Sequence, residues 1–115
     1  MTSSQILDVL PESIRTYLDA HQTREIDRAI SMYTPDATVV DEGRTYRGHQ
    51  EISEWLGRSA TEYTYTIELT GAQRIDDRHF VAVHHLEGDF PGGVVDLRFQ
   101  FTLADGLISA LTIEP

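Results

Sequence analysis

Met32-Tyr33-Thr34-Pro35-Asp36-Ala37-Thr38-Val39-Val40-Asp41 carries the end of a helical stretch and the first short strand of the chain. Apolar residues recur at helical spacing before it and again up to Gly57; from Tyr63 the period switches to two. On the upstream side Asp8 is placed to cap a first helix, with Pro11 in its first turn, where a missing N–H does no harm. Leu10, Ile14, Tyr17, Leu18 and His21 then share one helical face. Thr23 is placed to cap a second short helix, striped by Ile26, Ala29, Ile30 and Tyr33. Thr34-Pro35-Asp36 ends it, because the residue before a proline resists the α region. Ala37 to Asp41 is a short β-branched strand, followed by a turn at Glu42-Gly43.

Further on, Tyr46 leads into Gly48, and Gln50 to Gly57 reads as a third helix carrying Ile52, Trp55 and Leu56. Tyr63, Tyr65, Ile67 and Leu69 then alternate with Thr64, Thr66 and Glu68, which predicts a half-buried strand. His79 to Glu87 is a second long strand. Val94 to Leu103 is a third, with Val95, Leu97, Phe99, Phe101 and Leu103 on one face. Phe90-Pro91-Gly92-Gly93 separates these two, and Asp105-Gly106 is a hairpin signal before Leu107 to Ile113. Three helices followed by a four- or five-stranded, mostly antiparallel meander predict an α+β fold with the helices on one face of the sheet. At 115 residues the expectation is a single domain, 1–115.

Composition narrows the chemistry. An apolar fraction of 40% with 24% charged residues is that of an ordinary globular protein, not of a disordered or fibrous one. The longest apolar run, Phe80 to Val83, is too short to span a bilayer. The first ten residues carry no Arg or Lys and Asp8 interrupts them, so no secretory signal is read and a cytoplasmic location is expected. Without Cys there are no disulfides, thiolate nucleophiles or Cys-based zinc sites. All nine basic residues are Arg, and without Lys there is no Schiff-base chemistry. A net charge of −10 argues against nucleic acid, an anionic membrane surface or a polyanionic substrate.

The phrase at 32–41, the Tyr46-x-Gly48-x-x-x-Ile52 segment, Leu69-Thr70-Gly71 with Arg74, and the closing Asp105-Gly106-Leu107-Ile108 together resemble the nuclear transport factor 2-like superfamily. More narrowly, they resemble its SnoaL-like and ketosteroid isomerase-like branch, over roughly residues 10 to 113. The resemblance implies a curved sheet wrapped around a long helix to form a cone-shaped apolar pocket. It also implies a function among isomerases, dehydratases, polyketide cyclases, epoxide hydrolases and non-catalytic binding modules.

Asp41 is the first catalytic candidate. It shares strand parity with the core-like Val39, which turns it inward, where a desolvated carboxylate becomes a stronger base. The other reading is that it opens the Glu42-Gly43 turn and faces water. The resemblance places the isomerases' general base at this aspartate. Tyr17 lies on the apolar helix face, either as packing or as the phenol that stabilises an enolate oxygen, the role the resemblance implies. Tyr33 matches a tyrosine that supports it. The resemblance also implies two further polar groups, but Phe99 and Leu56 stand at those places.

His84 is the candidate replacement, as acid, base or donor. Both faces of its strand carry apolar residues; the ungapped match turns Phe80, Ala82, His84 and Leu86 inward. Tyr33, Trp55, Phe80, Leu86 and Phe99 are expected to line the pocket. His84 and His85 point to opposite sides of a strand, and His79 lies about 20 Å from His85 along it, so no metal site is expected. Asp96, Arg98 and Gln100 fall on the outward face. Epoxide hydrolases of the superfamily use Arg-x-Asp, and here the order is Asp-x-Arg. The expectation is an enzyme without cofactor acting on a small apolar carbonyl compound, or a binding module of the same fold. Two copies are expected to pair through the convex sheet face, with Val81 and Val83 in the contact.

Overall fold

The structure is a computed structural model. It describes residues 3–62 and 64–115, with side chains described for 6–58 and from 64 onward. The elements are α1 (Ser3–Asp8), α2 (Glu12–Gln22), α3 (Ile26–Ile30), β1 (Tyr33–Asp41), β2 (Arg44–Arg47), α4 (Gly48–Glu62), β3 (Tyr65–Arg74), β4 (His79–Gly88), β5 (Val94–Ala104) and β6 (Leu107–Glu114). The strands form one open sheet of order β2-β1-β6-β5-β4-β3. Every neighbouring pair is antiparallel except β1–β6, which is parallel. The helices pack on one face, so the architecture is α+β.

Several boundaries depart from the sequence expectation, each for a local reason. Asp8 does not start a helix; it ends α1, and Pro11 takes the position before α2 with φ −61° and ψ 160°. Proline's fixed φ suits that site, and Leu10 before it leaves the helical region and enters the core. Thr23 caps the end of α2 instead of the start of α3: its Oγ1 donates back to the Asp19 carbonyl at 3.0 Å. Tyr33 opens β1 instead of closing a helix. Pro35 therefore lies inside a strand, at the place where the β1–β6 register shifts between Tyr33 and Thr38; a residue with no N–H is tolerated where the ladder skips.

Glu42 and Gly43 have φ of 52° and 76°, the pair of left-handed residues that a tight hairpin needs, and the chain returns as β2, a strand the sequence reading did not mark. Asp105 and Gly106 repeat the device between β5 and β6. The third helix runs past Gly57 to Glu62. The next strand starts at Tyr65; the expected start at Tyr63 lies outside the described residues. With β2 and the parallel β1–β6 contact, the expected four- or five-stranded meander is a six-stranded sheet.

The core lies between the helices and the buried face of the sheet. Ile14, Tyr17 and Ala20 descend from α2, and Ile52, Trp55 and Leu56 from α4. They meet Val39, Phe99, Phe101, Ile108 and Leu111 on the sheet. On β4 the buried residues are Phe80, Ala82, His84 and Leu86, so that face is the inner one.

Candidate active site

Alternation along β1 buries Ala37 and Val39 and turns Asp41 toward the same side, where its carboxylate is partly buried. Helix α4 crosses behind it, and the Trp55 indole Nε1–H donates to Asp41 Oδ2 at 3.0 Å. Trp55 is held in turn by Tyr46 of β2, with ring centroids 5.9 Å apart, and the Arg58 guanidinium lies 5.5 Å over the Tyr46 ring. The unforeseen hairpin thus builds the far side of the Asp41 environment.

Tyr17 has no exposed surface, and its ring meets Tyr33 edge-on at 5.1 Å and Phe101 at 6.0 Å. Burial pushes both phenols well above their ordinary value, and at Tyr17 the Asp41 charge adds to the rise. The two hydroxyls do not reach hydrogen-bond geometry, and neither has a polar partner among the described residues. Both stay protonated at neutral pH and are available as donors. His84 is 4% exposed and tilts against Phe99 with centroids 4.4 Å apart. Burial, with a smaller contribution from His21, lowers it from 6.5 to about 4, so its imidazole is neutral at pH 7; Nδ1 has no partner among the described residues.

A pocket of about 300 Å³ opens beside this cluster, between the end of α2, α3, Leu56 of α4 and the start of β3. That volume is at the low end for small-molecule sites. Ile26, Ala29, Leu56 and Ile67 make its apolar wall; His21, Gln22, Arg24 and Tyr65 supply polar groups. Tyr17, Asp41 and His84 are not on its surface. His21 stands between: it lines the pocket, and its ring lies 6.0 Å from Tyr17 and 6.4 Å from Phe99. Burial lowers the His21 imidazole too. Tyr65 links the pocket to Asp41. Its phenol is raised first by burial and further by the Asp41 charge, while Arg24 opposes the rise.

The residues named from the sequence therefore fall into two groups. Tyr17, Tyr33, His84, Phe80, Leu86 and Phe99 are packed in the interior; Asp41 and Trp55 form a hydrogen-bonded pair at its edge. None of these eight lines the open pocket. Tyr33, Trp55, Phe80, Leu86 and Phe99, expected as lining, instead fill the space behind it, because aromatic rings from α2, α4 and the sheet close on one another. His21, Arg24 and Tyr65 were not foreseen. The one available signal was an imidazole at position 21 on an otherwise apolar helix stripe.

Among the described residues, no group of three or more His, Asp or Glu is placed to hold a metal ion. His85 points out of the sheet, where Nδ1 meets Asp96 at 2.6 Å and Nε2 meets Glu87 at 3.0 Å, while His84 points in. Arg98 pairs with Glu114 at 3.0 Å on the same outer face.

No curated protein matches the sequence. Among solved structures, a candidate polyketide cyclase from Sinorhizobium meliloti is 29% identical and superposes with a TM-score of 0.88, over 99% of this chain and 100% of that one. A hypothetical protein with a ketosteroid isomerase-like fold from Catenulispora acidiphila DSM 44928, in complex with trimethylamine, is 20% identical with a TM-score of 0.78, over 91% of this chain and 85% of that one. The protein Rv0760c from Mycobacterium tuberculosis, in complex with estradiol-17beta-hemisuccinate, is 12% identical with a TM-score of 0.74, over 90% of each chain. The model of the SnoaL-like domain matches residues 14–111, and the chain belongs to that family.

Proposed function

We propose that this protein takes a small, largely apolar carbonyl compound through the pocket between α2, α3 and β3, that the ligand displaces the side chains separating the pocket from the interior, and that Asp41 then moves a proton on it as the base. The observation that carries this reading is the position of His21, which lines the pocket and whose ring lies 6.0 Å from that of Tyr17. The Trp55 indole holds the carboxylate by donating to Oδ2. Tyr17, its phenol still protonated, serves as donor to the developing enolate, and His84 assists as an uncharged imidazole. Isomerisation, dehydration and aldol-type cyclisation share this first step. Ligand-bound relatives of the same fold, one with estradiol-17beta-hemisuccinate, support small-molecule binding. Pairing of two copies through the convex face belongs to the same reading, supported by the half-exposed Val81 and Val83; sedimentation of a dimer at micromolar concentration tests it.

The sealed position of Tyr17 favours a second reading, a ligand-binding domain without turnover. Exchange of the α-protons of β-tetralone in heavy water separates the two. For the enzyme, the chain accelerates exchange and Asp41→Asn slows it by about a hundredfold or more, the range of general-base catalysis. Binding of the ketone with no acceleration establishes the second reading and overturns the first.

A further inference from the structure

The arginine on the pocket wall is Arg24. Among the other arginines, Arg28 meets Asp19 at 2.7 Å and Glu25 at 3.0 Å, Arg74 meets Asp77 and Arg98 meets Glu114, while Arg15, Arg44, Arg47 and Arg78 have no ion pair among the described residues. The Arg24 guanidinium has no ion pair or side-chain hydrogen bond among the described residues, although Glu25 follows it in the chain and is itself engaged by Thr23 and Arg28. Its backbone is also unusual. The end of α2 closes with Thr23 N–H to the Asp19 carbonyl, Arg24 N–H to that of His21, and Glu25 N–H to that of Ala20 at 2.9 Å. That turn places Arg24 in the left-handed region, φ 61°, where helices ordinarily carry glycine. The cation suits the negative end of α2, and it also lines the pocket, whose apolar wall is made by Ile26, Ala29, Leu56 and Ile67.

We propose that Arg24 receives a carboxylate carried by the ligand, so that the pocket takes apolar molecules bearing one terminal carboxylate. A guanidinium matches a carboxylate with two parallel hydrogen bonds, and Tyr65 and Gln22 stand on the same wall to complete the contact. The net charge of −10 disfavours polyanionic ligands. The proposal rests on the pocket being the ligand site.

Naphthoate and methyl naphthyl ketone are matched in shape and differ in charge, and titration of the intact chain with each tests the proposal. The expected result is that naphthoate binds about tenfold more tightly, and that Arg24→Gln lowers naphthoate affinity by about the same factor and leaves the ketone unchanged. Arg24→Gly has the same effect on binding with no loss in thermal midpoint, since glycine suits the left-handed position; a merely structural arginine would not separate the two readouts. Arg28→Gln, which removes an equal charge outside the pocket, leaves both affinities unchanged. Equal affinity of the two probes for the unmodified chain, or an equal loss of both in Arg24→Gln, overturns the carboxylate site and leaves the pocket reading standing. Binding of neither probe overturns both.

Discussion

At the scale of single residues, the bond from Trp55 Nε1 to Asp41 Oδ2 decides how the proposed base is held. A hydrogen bond to a charged acceptor in a partly buried site is worth about 1.5 kcal/mol. Trp55→Phe keeps most of the ring packing against Tyr46 and removes the donor. The expected outcome is a loss of stability of about that size in urea denaturation, with slower proton exchange on β-tetralone. Unchanged exchange in Trp55→Phe means the indole does not position the carboxylate. Asp41 was legible in the sequence because strand parity is a local rule, and parity with Val39 is enough to turn it inward. Tyr17 was legible through the helix stripe. Arg24 and Tyr65 were not, because nothing in either neighbourhood says that the end of α2 comes to rest over the start of β3. That contact is set by packing across the whole core.

At the scale of elements, the edge of the pocket depends on how closely β3 and β4 approach. Gly88 pairs with Tyr65, and a Cβ at position 88 would lie 2.5 Å from the Thr64 carbonyl oxygen and 2.5 Å from the Tyr65 Cβ. Neither atom can swing away, since one is backbone and the other is fixed to it. Gly88→Ala is therefore expected to cost about 1–3 kcal/mol in denaturant unfolding, the range of an overpacked site. It also shifts Tyr65, and so weakens naphthoate binding. Full stability in Gly88→Ala would mean the two strands are less tightly apposed there. The same scale shows why some elements were hidden. β2 has four residues, Arg44 to Arg47, of which only Tyr46 is apolar, too short for alternation to register. β1 was truncated at Ala37 because a proline reads as an end signal, whereas a register shift accommodates it inside the strand. Long strands β3 to β5 carried enough alternation to be read, and the face of β4 was settled only by what packs on it.

At the scale of the whole molecule, histidines on opposite sides of one strand bias stability in opposite directions. His84 is neutral and buried, held at about 4 against 6.5 for the free side chain, with burial as the cause. Above pH 6.5 both folded and unfolded chains leave it uncharged, and its full contribution is present. Between 6.5 and about 4 the unfolded chain takes up a proton that the folded chain refuses, so stability falls with pH, by up to about 3 kcal/mol from this group. His21, also lowered by burial, acts in the same sense. On the outer face His85 is raised, first by Asp96 and then by Glu87. Its contribution is present below its unfolded pKa and is lost as pH rises through its raised value in the folded chain. Many carboxylates titrate over the lower part of this range, so the informative quantity is the difference between variant and parent. The expected result is that His84→Leu flattens the fall of the urea midpoint between about pH 7 and pH 4, and His85→Gln steepens it, because one removes a penalty at acid pH and the other removes a gain. A His84→Leu curve parallel to the parent's would show that the imidazole takes its proton in the folded state as readily as in the unfolded one. The interior would then be wet enough at this position to make His84 a charged acid, and the neutral-donor role would fall with it.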